Sequence, residues 1–533
     1  MKRATGSDIL SSFTNLKFCN VRKVRDLESH LTPRYPSAIL REPTEDELRS
    51  VAEKLVNLEY GRYALGPVKK GQRILVVVPV HQDKKLLDAI KNVMLERGAS
   101  EVDVISEKEA MGLKTIPNFS ADRSWDEFAF FPAWFGYREF LSDSDAPKEM
   151  LENDYSFPTL ENYIKNLKKE YDTIFAGPGG WSHFRQILGP KYKSLWPYSS
   201  YEYARLFAGF PAEVWNTVED RIKSMMPMVE EVRVRDEEGT DLRFTMSAEE
   251  AQLWREESQP SNHLFMYPRP PSFPESNGTI AGTSNHFGYF PQVKVHIKHG
   301  LIEKIEGGGK FGDMWRTYMD RYENEQFPEF PSPGYYYIHE SALGTNPRGF
   351  RHVRELFNTP IFMTNDSERN RAGTLHWGFG LQALDLVERQ KPFKDKFDRL
   401  MKFCKEKNLP FCHSAHIHNY FLSYEVKLRD TKEWVKIVDK GRITLFDDPE
   451  IRKLASKYGN PDEIFHYDWV PAIPGITYEG NYARDYAKDP LSWIREEIAE
   501  IIPKEAGKME LKEETGKSVT PHAHEHGPHG HDH

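Results

Sequence analysis

The segment "FCHSAHIHNY", residues 411–420, sets His413, His416 and His418 within six positions of one another. Residues two apart on a strand share a face, so His416 and His418 would present two imidazoles side by side while Ile417 turns away. Two imidazoles so placed are half of a metal site; they serve equally as decoration of a solvated strand face. His413 is out of phase with that pair. A second run, "RNRAGTLHWGFG" (369–380), sets His376 among glycines and a tryptophan in an otherwise apolar stretch. A buried imidazole there needs a partner, whether a metal or a hydrogen bond within the core. A third, "YYYIHESALGTNP" (335–347), places His339 beside Glu340, and adjacent residues on a regular strand face opposite ways. Taken singly, each reads most simply as a hydrogen-bonded polar residue of the core.

Something must hold these segments together, and the patterning supplies it. Residues 1–45 read as an N-terminal extension, and 46–230 as an α/β domain with a parallel sheet. There Thr44 and Glu47 form a capping box before a helical apolar spacing, and "GQRILVVVPV", "DKKLLDAIKNVMLERGA" and "EVDVIS" give strand, helix and strand. "YDTIFAG" (171–177) adds a further strand, and an aromatic, irregular insertion occupies about 110–165. Residues 231–503 read as a largely antiparallel β (α+β) metal-binding domain. "VEEVRVRDEEGTDLRFTMS" and "QVKVHIKHGLIEKIEGG" alternate with period two around turns, further strands fall at the histidine-bearing runs and at "AHIHNYFLSYEVKL", and "PFKDKFDRLMKFCKEK" reads as a helix. The tail 504–533 ends in "PHAHEHGPHGHDH", a composition that forms no packed core.

Composition bounds the function. At 533 residues the chain is expected to fold as two or three domains, and a net charge of -9 argues against a nucleic-acid partner. No apolar run reaches the length of a membrane span, and the opening residues lack the apolar core of a signal peptide. Cys19, Cys404 and Cys412 form no CxxC pair and no disulfide framework, as expected of a cytoplasmic protein.

In their order along the chain, "HESALGTNPRGF", "ERNRAGTLHWGFG" and "HSAHIHNYFLSYEVKL…VDKGRI" resemble the C-terminal half of the aminopeptidase T/AmpS metallopeptidase superfamily, as a divergent member. That superfamily carries a glutamate before a "GTNP"-like turn, a "GT-x-H" strand and an H-x-D strand followed by hairpins. Its peptidases hold two metals on two glutamates, two histidines, a tyrosine and the aspartate of H-x-D. Here there is no acid from His263 to Phe273, no tyrosine close after His376, and His418 in place of the aspartate. Two neighbouring divalent ions need bridging anions, so the departures point toward the superfamily's 2,5-dihydroxypyridine 5,6-dioxygenase-like members, which keep one Fe(II). Carried over position by position, the resemblance implies metal ligands His376, His416 and His418. It also implies a substrate-facing His81 and a homodimer or larger assembly. Three neutral ligands would leave the metal doubly positive and favour an anionic, chelating substrate. His81 follows the first strand, at the edge where clefts open in parallel sheets; a surface-loop histidine is the alternative.

The leading expectation is thus a mononuclear non-haem Fe(II) dioxygenase opening a hydroxylated aromatic or heteroaromatic ring, with Zn, Mn or Co as alternative metals. His81 or Glu340 would move the proton. The aromatic runs "FAFFPAWFGY", "WPYSSYEY" and "GYYYIHE" would line an apolar pocket or sit in the core. A second expectation is a hydrolase with a Zn-type site and Glu340 as general base. A third is a metal-handling protein whose histidine tail captures ions. The expected partner is a small aromatic molecule, with neither nucleic acid nor membrane.

Overall fold

The computed structural model describes residues 28–35, 43–58, 64–78, 83–106, 192–194, 201–257, 264–268, 274–285, 288–328, 332–334, 336–350, 368–382 and 412–497, with short pieces between 166 and 176 and between 399 and 407, and residue 500. The expected insertion at about 110–165, the tail, His81 and most of the helix expected at 392–407 lie outside the described residues.

The N-terminal region holds a parallel sheet of β1 (Arg73–Val78), β2 (Glu101–Ser106), β3 (Thr173–Ala176) and β4 (Tyr192–Ser194), in the order β2-β1-β3-β4. Ile74–Val78 are all buried, which is why β1 reads as a continuous apolar run and not an alternation. Helix α1 (Glu45–Asn57) starts at the capping box, with Thr44 Oγ1 accepting from Glu47 N and the Glu47 carboxylate accepting from Thr44 N. Its buried stripe of Leu48, Val51, Ala52, Leu55 and Val56 packs against α2 (Lys84–Glu96), which buries Leu86, Ile90, Val93 and Met94.

From residue 229 the chain is antiparallel, as expected. In chain order the strands are β5 (Val229–Arg235), β6 (Asp241–Thr245), β7 (Leu264–Phe265), β8 (Glu275–Asn285), β9 (Gly288–Lys298) and β10 (Leu301–Gly307). They continue with β11 (Ile338–Leu343), β12 (Leu375–Gln382), β13 (Cys412–Asn419), β14 (Ser423–Leu428), β15 (Trp434–Asp439) and β16 (Arg442–Ile443). Eight of them form a sheet in the order β10-β9-β8-β6-β5-β14-β15-β16, and the other four form β13-β12-β11-β7. The β9–β10 turn puts His299 and Gly300 at φ 51° and 78°, the left-handed pair that a two-residue hairpin requires.

One expectation changes here. "AHIHNYFLSYEVKL" is not one strand: β13 ends at Asn419 in the smaller sheet and β14 begins at Ser423 in the larger one. The crossing at Tyr420–Leu422 is clamped by the fully buried Arg371, which donates to the carbonyls of Tyr420 and Trp469 and lies over the rings of Phe421 and Tyr467. The smaller sheet turns Trp377, Phe379, Ala415 and Ile417 into the core. Asn419 fastens it to the larger sheet, donating to Ala281 O of β8 at 2.7 Å. Gly282 of β8 lets the sheets approach, since a Cβ there would lie 2.5 Å from Ile417 Cγ2. Among the described residues no helix is long and apolar enough to cross a membrane.

Candidate metal centre

Alternation along the smaller sheet leaves its other face to the even-numbered residues. Register then brings two rows together across that face. Glu340, Gly378 and His416 stand opposite one another on β11, β12 and β13, and the neighbouring row is Ala342, His376 and His418. Glu340 Oε2 lies 3.4 Å from His376 Nε2 and 3.8 Å from His416 Nε2, and the three side chains each offer a ligand atom within 4.8 Å of the others. The His376 and His416 rings are nearly parallel, 4.5 Å apart at 23°.

Glycine makes this gathering sterically feasible. A Cβ on Gly378 would meet the His339 ring at 2.8 Å and Glu340 Cβ at 3.0 Å, so any side chain there would fill the space the donors surround. The expectation that His339 and Glu340 face opposite ways is corrected by a register shift between Ile338 and Glu340. An extra residue in one strand re-aims its side chains. His339 therefore reaches Gly378 and packs edge-on to His416, with ring centroids 6.2 Å apart.

Burial sets the charge state. His376 is fully buried and His416 nearly so. Loss of solvent holds the His376 imidazole well below its usual range, opposed by Glu340 and reinforced by His416 and Arg369. Burial lowers His416 too, against the pull of Glu340. Both rings are thus neutral near pH 7, the form in which imidazole binds a metal.

His418 stands in a different position from these three. Its Nε2 is hydrogen-bonded to His376 Nδ1 at 2.9 Å, on the side of that ring away from Glu340, and its Nδ1 is hydrogen-bonded to Glu368 Oε1. Glu368 begins a buried turn of 3-10 helix, Glu368–Asn370, that docks on the "GTNP" loop. Asn346 N donates to Asn370 O, Ala372 N to Asn346 O, and Gly344 N to Thr374 O. Gly344 allows this contact, since a Cβ there would fall 2.2 Å from Arg371 O.

Of the residues singled out from the sequence, the structure brings Glu340, His376 and His416 to one point and sets His418 behind His376. His81 lies outside the described residues. His339, Gly378 and Glu368 were not assigned roles in advance. Glu368 lies in the quoted "ERNRAGTLHWGFG", yet nothing in its spacing shows that the loop folds back onto β13. Of the aromatic runs, "FAFFPAWFGY" lies outside the described residues, and Tyr201 and Tyr337 are buried in the core.

The donors fit one divalent ion. Ligand atoms about 2.0–2.2 Å from a shared centre stand roughly 3–3.5 Å apart, close to the separations found here. Two neutral imidazoles and one carboxylate suit Fe(II), Zn, Mn or Co.

No family model matches the chain, and no curated protein matches it. Among solved structures, the 2,5-dihydroxypyridine dioxygenase of Pseudomonas putida KT2440 aligns with a TM-score of 0.38 and 13% identity, over 77% of this chain and 99% of that one. Wild-type AmpT from Thermus thermophilus aligns with a TM-score of 0.38 and 14% identity, over 75% of this chain and 99% of that one. Likenesses at this level carry no argument about chemistry, which rests on the side chains described above.

Proposed function

We propose that the protein is a metal-dependent enzyme with one divalent ion, Fe(II) foremost, held by Glu340, His376 and His416, and that it opens a hydroxylated aromatic or heteroaromatic ring with O2. The observation that carries this reading is the donor set itself. Two histidines and one carboxylate converge on one face of a sheet, the combination typical of non-haem Fe(II) oxygenases. When bound, Fe(II) supplies O2 activation and a Lewis acid for an ionised ring hydroxyl. The chain supplies the surroundings. Glu340 offsets one of the two positive charges, and the neutral imidazoles leave the other to attract an anionic substrate. Buried Arg369, close enough to depress both imidazoles, favours the same anion.

Glu340, expected from the sequence to move a proton, sits instead among the donors. His339, beside Gly378 and His416, takes the proton-moving role in this reading. The hydrolytic alternative with Zn uses the same donors and so loses Glu340 as its general base. The partner is a small electron-rich aromatic molecule, and the assembly a homodimer or larger.

The test is oxygen consumption by the Fe(II)-loaded protein across a panel of hydroxylated aromatics and pyridines, with amide substrates assayed under argon. Oxygen uptake that scales with ring loss is expected. Turnover indifferent to oxygen would sink the dioxygenase reading and leave the hydrolase.

A further inference from the structure

We propose that the protein binds a small molecule through an oxyanion group, a phosphate or a carboxylate, in a cleft between its N-terminal helices and the loop that follows β11, with Arg205 and Lys54 as the cationic partners. The cleft has a volume of about 350 Å³, at the small end of the roughly 300–1,000 Å³ typical of ligand sites. None of Glu340, His376 and His416 lines it. Its occupant is therefore separate from any substrate at the metal centre, whichever metal that centre holds.

Two helices supply a wall each. On α1, Glu47, Ser50 and Lys54 are spaced three and four residues apart and so share one face. On α3 (Tyr201–Gly209), Tyr201, Arg205 and Gly209 recur every four residues and do the same. The two helices pack on each other. The start of α3 is anchored, since Tyr201 N donates to Asp83 Oδ2 at 3.1 Å while Asp83 Oδ1 caps α2. At the far end Gly209 leaves room, because a Cβ there would meet nothing within 4 Å. Arg348, in the loop after β11, and Asp468 form the third side.

The charges along these walls do not cancel. Arg348 and Asp468 are committed to each other, with Nη1 donating to Oδ1 at 2.5 Å, and Arg348 Nη2 donates to Glu463 O. The Glu47 carboxylate accepts from Thr44 N and Thr44 Oγ1, and it stands seven residues, about 10 Å of helix, from Lys54. Lys54 and Arg205 have no acid paired with them among the described residues. Lys54 is exposed and gains little from a partner, but Arg205 is half-buried, and its Nε is shut off from solvent without an acceptor. A partly desolvated guanidinium without a counter-charge is costly, and an oxyanion offering two acceptor oxygens matches its fork. Lys54, on the other wall, adds a second charge on a flexible stem. A cationic or purely apolar ligand would leave Arg205 uncompensated.

The test is calorimetric titration of the full-length, metal-free protein with inorganic phosphate and with succinate at constant ionic strength. Saturable binding of at least one is expected, and the tighter of the two tells a phosphorylated ligand from a dicarboxylate. Arg205→Gln should weaken it about 10–100-fold, the worth of a hydrogen bond to a charged group, and Arg205→Lys, which keeps the charge, should lose less. Lys54→Gln should cost about 2–5-fold, as exposed pairs do. Lys298→Gln, which removes an exposed cation of β9, should bind as the wild type does. Should circular dichroism show Arg205→Gln unfolded, Gly209→Leu takes its place, filling the cleft from a position with open space around it, and is expected to abolish binding. Failure of both anions to bind saturably, wild-type affinity in a folded Arg205→Gln or in Gly209→Leu, or an equal loss in Lys298→Gln would each overturn the proposal. Binding that disappears in His376→Ala would overturn it too, since the anion would then sit at the metal centre.

Discussion

On the face of β11–β13, Glu340 meets two imidazole nitrogens aimed at it from 3.4 and 3.8 Å. At the β5–β6 turn, on the other sheet, Asp236 and Glu238 meet a different set of partners. Asp236 Oδ1 accepts from Thr240 N and its Oδ2 from Asn419 Nδ2 at 2.6 Å, while Glu238 Oε2 accepts from Thr283 Oγ1 and Tyr482 Oη. Every such partner is a protein donor that closes on the carboxylates. Loss of solvent pushes both acids upward, and the charge of Asp236 pushes Glu238 further, so these acids answer burial by holding their protons. The contrast teaches that buried acid alone is a poor marker of a metal site. Neutral nitrogen donors converging with the acid are the better one.

The largest expected effect breaks the first region. His376→Ala or His416→Ala removes one of three donors, a loss greater than the roughly 10–100-fold that outer partners are worth. Tightly held Zn(II), measured by elemental analysis with a weak chelator to strip the tail, is expected to vanish while circular dichroism stays native. Full stoichiometry in either variant would make this region as closed as the β5–β6 turn.

Next comes the pH response of the second region. Asp236 and Glu238 keep protons in the fold that the unfolded chain has released by pH 5. The native state therefore binds more protons than the unfolded one. Stability falls as pH rises from the ordinary carboxylate range through their raised values, by up to about 1.4 kcal/mol per pH unit for each proton. Glu497, pushed up to about 7 by burial beside Tyr35, acts in the same direction. Glu238→Gln keeps acceptors for Thr283 and Tyr482 and removes the charge. Urea unfolding from pH 5 to 9 is expected to show a flatter profile than the wild type, with the variant the more stable of the two at pH 9.

Gly378→Ala separates packing from chemistry. Its Cβ would press on His339 and Glu340, and overfilling of this kind costs about 1–3 kcal/mol. A lowered Zn(II) affinity beyond that loss of stability, seen by titration against a chromophoric chelator, would show that the empty space between the donors matters in itself.

These two regions were unequally legible in the sequence. The histidine spacing of β13 and the isolated His376 could be read directly, because strand alternation is local. What puts His376 opposite His418, and Glu340 in one row with His416 across Gly378, is register between residues 42 and 76 positions apart, and no local pattern encodes it. The bulge that turns His339 inward exists only once β11 has its partner, and Glu368 arrives through backbone bonds between two loops. The α/β half was easier: the capping box at Thr44 and the apolar run of β1 are signals contained in a few adjacent residues. The second region was hidden altogether. "RDEEGTD" reads as a solvated hairpin turn, and its burial depends on Tyr482 and Asn419, each more than 180 residues away.

The smallest expected effect asks whether the two regions communicate. Asn419 follows His418 on β13, and its amide reaches Asp236, which makes it the natural path between them. Strand geometry argues against coupling, since Asn419 and His418 point to opposite faces. Asn419 also keeps two anchors without Asp236: Trp377 Nε1 donates to its Oδ1 at 3.0 Å, and its Nδ2 donates to Ala281 O. Asp236→Asn is therefore expected to change Zn(II) affinity at His376 by less than about twofold, within the 0.3–0.5 kcal/mol by which independent sites depart from additivity. A larger shift, measured in a double-mutant cycle with Glu368→Gln, would mean that β13 moves as a unit and that protonation at the turn reaches the metal centre.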